Sequence, residues 1–218
     1  MANGEIHSNL GLDEGVPKHF HPTKTKLVET TVQLLQTMPA EEISVDLVLS
    51  ISKISKGSMY HHFVDLSDLL DTAITERYAK WVDRSIEVMS QILTDGSTSD
   101  EIYQGLVKVT QQTQSPLQRG ERMQRVQAIA KTNGNSRLTE MLSSEQERLT
   151  EALTDIIFES QQQGFVNEDL DPRSLAVFIQ SYTLGKIVED FSSTPMEEEK
   201  WNHLVNLFTK NVVIAKPK

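Results

Sequence analysis

ISVDLVLSISKISKGSMYHHFVDLSDLL, residues 43–70, reads as a short helix, a tight turn, a second short helix, a break and the start of a long helix. That order outlines a helix-turn-helix. Ser44 is placed to cap the first short helix, and Asp46 in its first turn suits the helix dipole. Val45, Val48, Leu49 and Ser52 share its inner face at 3.6-residue periodicity. The turn falls near Lys53, and Ile54 returns to the core. Ser55 is placed to cap the second helix, expected over 56–62, where Met59 and Phe63 lie four apart, point the same way and bury it. Lys56, Gly57, Ser58, Tyr60, His61 and His62 are left on its outer faces. Small residues, hydroxyls, a cation and a ring near a helix N-terminus suit close approach to a base-pair edge or a phosphate.

Outward from this stretch the patterning stays helical. Residues 23–37 carry Leu27, Thr31, Leu34 and Leu35 on one stripe, and Pro39 stops that helix. Asp65 reads as a cap and Asp68 stands at the capping-box position of a long helix over 66–93. The loop DGSTSD at 95–100 marks a module boundary. Helices are expected over 100–112, up to 131, and over 136–163, the last closed by Gly164. Asp171-Pro172 opens another, to 191, and a final helix runs 196–214. No strand alternation or hairpin signal interrupts them. The expected fold is all-α with about nine helices: a disordered leader over 1–19, a helix-turn-helix domain over 20–70 and a second helical domain over 71–218.

Composition narrows the function. The 218 residues are 38% hydrophobic and 24% charged, enough for a substantial core. There is no cysteine, which excludes a disulfide framework, a thiolate zinc site and a Cys nucleophile. No apolar run approaches the ~20 residues a membrane span needs, and the start MANGEIHSNLGLDEG is too acidic and polar for a signal peptide. A cytoplasmic protein with no membrane partner is expected. The net charge of −10 is unevenly spread: residues 17–80 carry seven Lys or Arg against eight Asp or Glu, and residues from 81 onward fourteen against twenty. The helix-turn-helix is thus the least acidic part without being basic, so DNA binding rests on a few placed contacts and on dimerisation, with a modest salt dependence. Gly-rich phosphate loop, H-E-x-x-H and nucleophile elbow are all missing, so no enzyme activity, catalytic residue or cofactor is expected. His61 and His62 diverge by about 100° on a helix and share no metal ion easily; no metal site is expected.

The run SKGSMYHHF at 55–63, followed at once by VDLSDLL, resembles the DNA-binding signature of the TetR family of one-component transcriptional regulators. The close match covers about 23–70, and GFVNEDLDPRSLAVFIQSYTLGKIVED at 164–190 is similar to that family's passage into its penultimate helix. The resemblance implies that Tyr60 packs on the DNA backbone and that His62, two beyond it, contacts the operator. It implies that Ser55, Lys56, Gly57 and Ser58 read bases, and that Ser44 holds a phosphate. Two positions depart from the family pattern: Ser52-Lys53 stands where Ala-Gly is usual, and Leu66 where a Lys reaches a phosphate. Glycine adopts a left-handed turn freely, so Lys53 costs ~1 kcal/mol or shifts the turn. As a whole the resemblance implies a repressor that binds a palindromic operator in double-stranded DNA as a homodimer and is released by a small apolar effector. The alternative is a helical small-molecule or protein-binding module that has lost operator binding, motivated by Lys53, Leu66 and the weak charge.

Two candidate sites fall within 71–218. Trp81, Met89, Tyr103, Met123, Gln127, Phe158, Phe178 and Tyr182, with Ile129 and Gln180, are candidates for a ligand pocket, because Met and aromatic side chains suit an adaptable apolar cavity as well as plain core. The last two helices are apolar over more than one stripe, and such helices need two partners. Phe178, Gly185, Val188, Trp201, Leu204, Val205 and Phe208 are therefore candidates for a homodimer interface, a four-helix bundle made from two helices of each copy. Helix-turn-helix reading asks for such a dimer, since two heads must meet major grooves about 34 Å apart.

Overall fold

A computed structural model describes residues 21–215. The leader expected over 1–19 lies outside the described residues. The chain divides after Leu70 into two compact units.

In the first unit, α1 (Pro22–Thr37) packs on α2 (Val45–Ser52) and α3 (Lys56–His62). Pro22 supplies the fixed φ of a first helical position, and His21 Nδ1 accepts from the Thr23 N–H at 3.3 Å. Met38 is extended (φ −147°, ψ 157°), as a residue before proline must be, and ends α1. Leu27, Val28, Leu34, Ile43, Val48, Met59 and Phe63 form the buried core. Met59 and Phe63 hold α3 by its inner face, as their spacing predicts.

The turn between α2 and α3 sits at Lys53, with φ 58° and ψ 27°, the one non-glycine residue with positive φ among the described residues. Its N–H closes α2 on Leu49 O at 3.0 Å, and Ser52 Oγ accepts from Ile54 N at 3.3 Å. A side chain in this left-handed conformation costs free energy that glycine does not. Lys53→Gly is therefore expected to stabilise the first unit by about 0.5–1 kcal/mol, the lower end reflecting the extra freedom of glycine in the unfolded chain; urea midpoints of the two proteins check it. The following helix begins at Leu66, where Asp65 Oδ1 accepts from Asp68 N at 2.8 Å. Asp68 Oδ2 takes the Val64 N–H at 2.9 Å, one residue further out than a standard capping box.

The second unit comprises the rest of α4 (Leu66–Asp95), then α5 (Ser99–Gln114), α6 (Arg119–Ala130), α7 (Ser136–Gln162), α8 (Pro172–Gly185), α9 (Ile187–Asp190) and α10 (Glu198–Phe208). α7 runs along α8, α5 packs against α10, and α9 sits on α6. Leu138, Leu142, Leu149, Leu153, Ile157, Leu175 and Ala176 fill the centre. Thr98, Asn135 and Asp171 cap α5, α7 and α8 with side-chain oxygens. Asn135 also donates from Nδ2 to both oxygens of the buried Asp71, at 3.1 and 3.0 Å. Gly164, with φ 77°, follows the end of α7.

Two expected elements differ. The helix expected over 172–191 divides at Lys186 into α8 and α9; joined, they make nine α-helices among the described residues, as expected. Gly185 offers the weakest helix propensity short of proline at that point. The last helix starts at Glu198 rather than 196, and its α geometry ends at Phe208. A π-helical turn, Thr209–Val213, follows, closed by Ile214 N donating to Thr209 O at 2.9 Å. The wider turn delivers Ile214 to an isolated antiparallel bridge with Val166, where Asn167 N meets Val213 O at 2.8 Å and Ala215 N meets Phe165 O at 2.9 Å. No helix among the described residues is long and apolar enough to cross a membrane.

Candidate nucleic-acid interface and ligand cavity

Each residue predicted to face DNA is exposed or half-exposed on the first unit. Ser44 caps α2 by accepting from Leu47 N at 3.2 Å, and Ser55 caps α3 by accepting from Ser58 N at 3.2 Å. The Ser55 and Ser58 hydroxyls pair at 2.9 Å, so both are held at the start of α3. Lys56 and Gly57 are exposed beside them, and nothing lies within 4 Å of where a Cβ on Gly57 would stand. Tyr60 keeps 47% of its surface exposed although Met59 next to it is fully enclosed. Tyr60 thus stands on the outer side of α3, one residue from its buried anchor. His61 is exposed, its ring edge-on to His62 at 5.0 Å, and His62 stacks on His21 at 5.1 Å. Desolvation, with His21, His61 and Lys24 nearby, holds His62 below the ordinary imidazole value. Leu66 is half-buried at the first position of α4 and offers no charge there.

The second unit holds a half-open cavity of about 260 Å³ between α4, α5, α6, α7, α8 and the C-terminal turn. Of the eight predicted pocket residues it is lined by Trp81, Met89, Phe178 and Tyr182, and Gln180 joins them. Tyr103, Met123, Gln127 and Phe158 are not in the lining. Phe158 is 53% exposed on α7, Gln127 is exposed on α6, and Tyr103 lies under the Lys210 ammonium at 5.8 Å. Residue type suggested these four; the turn of each helix directs them elsewhere.

Charged residues that sequence reading passed over line the cavity: Arg84, Glu121, Arg122 and Arg125. Arg84 pairs with Glu121. Arg122 is 2% exposed and forks onto Asp190, Nε to Oδ2 and Nη2 to Oδ1, both at 2.8 Å. Its Nη1 donates to Thr113 O at 2.9 Å and Ser115 O at 3.3 Å, at the end of α5, where Ser115 O also accepts from Gln118 N at 3.1 Å. Arg125 is 7% exposed and makes no ion pair; its guanidinium lies 3.7 Å over the Trp81 ring, and its Nε is buried without a hydrogen-bond partner. Burial lowers Arg125 to about 10, against Tyr78 and Glu121 and with Arg122, which leaves it charged at neutral pH. Beside them, Tyr78 donates to Gln146 Oε1 at 2.6 Å, Gln146 donates to Gln180, and Gln180 Nε2 donates to Thr150 Oγ1 at 3.2 Å. This network orients the amide of Gln180.

The predicted interface residues separate into two sets. Val188 (79% exposed) and Leu204 (60% exposed) face outward, and Phe178 is partly exposed. Val205, in contrast, is buried within its own chain, Trp201 Nε1 donates to Gln114 Oε1 at 3.0 Å, and Phe208 lies 4.9 Å from Phe178 and lines the cavity. Those three belong to the inner face. Gly185 has open space around it within the chain.

No family model matches the chain. The HTH-type transcriptional regulator UidR of Escherichia coli K12 is 20% identical over 168 residues, 77% of this chain and 81% of the relative. A protein described as a TetR-family transcriptional regulator from Mesorhizobium loti superposes with a TM-score of 0.68 at 11% identity, over 86% of this chain and 93% of its own. A transcriptional regulator of Saccharomonospora viridis, solved in complex with choline, gives 0.66 at 18% identity, over 88% and 98%. At these identities the likeness establishes the fold.

Proposed function

We propose that this chain, whose fold is that of the TetR-family transcriptional regulators, is a cytoplasmic ligand-responsive regulator rather than an enzyme. In this reading it is a repressor that holds a palindromic operator as a homodimer and lets go when a small effector enters the second unit. The observation that carries it is the outer face of α3: a start held by Ser55 and Ser58, a Gly57 with open space around it, and Tyr60 aimed outward from a buried Met59. That surface admits a phosphate backbone and has no evident use in packing. The effector acts only through a difference in affinity between operator-competent and free dimers. A hundredfold preference for the free form contributes about 2.7 kcal/mol, enough to release a site held near threshold.

The test is selection of the full-length chain against a randomised duplex pool, read by fluorescence anisotropy at ~100 mM salt. A palindrome should be enriched. Tyr60→Ala should weaken its retention on the order of a hundredfold, because about 1–1.5 kcal/mol of backbone contact is lost in each of two heads. A folded dimer that enriches no sequence at any low salt overturns the reading and leaves a helical ligand-binding module.

A further inference from the structure

We infer that the second-unit cavity takes a monoanionic amphiphile, its carboxylate paired with Arg125 and its apolar body against Met89, Leu153, Phe178 and Ile179. This deepens the proposal of an effector site and rests on it. The argument is a charge inventory of the cavity wall. Three guanidiniums face two carboxylates: Arg84 pairs with Glu121 and Arg122 with Asp190, while Arg125 forms no ion pair and the only carboxylate charge it feels is that of the Glu121 that Arg84 already holds. A buried cation without an ion-pair partner of its own is unfavourable, and the Trp81 face offsets only part of that. A carboxylate entering the cavity supplies what is missing, in the geometry a guanidinium fork recognises.

The same inventory sets the selectivity. One unmatched positive charge calls for a single negative one. An ammonium ligand has no site at Trp81, because Arg125 already covers that ring and repels a second cation. The remaining wall is largely aliphatic and aromatic, so the rest of the ligand is apolar.

Calorimetric titration of the full-length chain at pH 7.5 with decanoate, decanol and decyltrimethylammonium tests this. Decanoate should bind at least tenfold more tightly than decanol, and the ammonium should bind weakest. In Arg125→Met decanoate and decanol should bind alike; Met keeps a long apolar side chain at this buried position of α6, and circular dichroism of the variant checks that the fold is retained. Arg125→Lys keeps the charge without the fork and should keep a reduced preference for decanoate. The inference is overturned by equal or tighter binding of decanol or the ammonium, by no binding of any probe, or by a decanoate preference that survives in Arg125→Met. Because no DNA is present, failure of operator binding leaves this result standing. A duplex retained unchanged under saturating decanoate would sink the effector role while keeping the anion site.

Discussion

Asp190→Ala should lower the unfolding free energy by about 3–5 kcal/mol, the usual effect of stripping the partner from a buried ion pair. The side chains of Arg122 and Asp190 are 2% and 6% exposed, so removing the carboxylate leaves a buried guanidinium without its counter-charge. Arg122 also binds the Thr113 and Ser115 carbonyls, so disturbing it frees the end of α5. Arg122→Met combined with Asp190→Ala should recover most of the loss, because an apolar pair leaves no stranded charge. The effect depends on pH with a definite sign. Arg122 holds the Asp190 carboxyl below its ordinary 3.8. The stabilisation is therefore complete above that value and disappears as pH falls beneath it toward the native one. Urea midpoints of wild type and Asp190→Ala should be far apart at pH 7 and draw together near pH 3. Midpoints that differ equally at both would show that the pair does not carry the effect.

This pair also explains which features of the chain were legible in its sequence. The first unit was readable because its signals are local. Ser44 and Ser55 cap helices three residues away, Met59 and Phe63 lie one turn apart, and even the left-handed turn at Lys53 was marked by the residue that ought to be glycine. The second unit depends on partners far apart in sequence. Arg122 and Asp190 are separated by 68 positions. Arg122 stands in RGERMQRVQ, at 119–127, a stretch with few apolar residues and no local signal that points to Asp190. A signal was nonetheless present. Arg122, Arg125 and Ala128 recur at three-residue spacing and are the buried stripe of α6. A helix too poor in apolar residues to bury a face without its arginines must place them inward. The cavity was half legible for the same reason: Trp81, Met89, Phe178 and Tyr182 line it, but residue type alone gave no way to tell their faces from those of Gln127 and Phe158.

Leu204→Glu is expected to convert the proposed homodimer to monomer. Leu204 and Val188 are largely exposed apolar residues near the C-terminal helices, where a second copy would cover them. In a twofold interface every substitution occurs twice. Each copy would lose about 1.5–3 kcal/mol of apolar burial, and each would add about 1–3 kcal/mol for desolvating an unpaired polar group. The total is at least about 5 kcal/mol, more than a thousandfold in dimer dissociation. Because Leu204 is exposed within its own chain, helix content and the urea midpoint of the monomer should hardly change. Val205→Glu is the control that separates interface from core. Val205 is 8% exposed one position along α10, so burying a charge there should unfold the second unit rather than split a dimer. Sedimentation across a micromolar dilution series reads the first variant and circular dichroism the second. Operator retention should fall with dimerisation in Leu204→Glu, since a single head meets only one half-site. A wild-type chain that sediments as a monomer throughout that range would remove this interface from the proposal and leave the exposed Val188 and Leu204 without a partner of this kind.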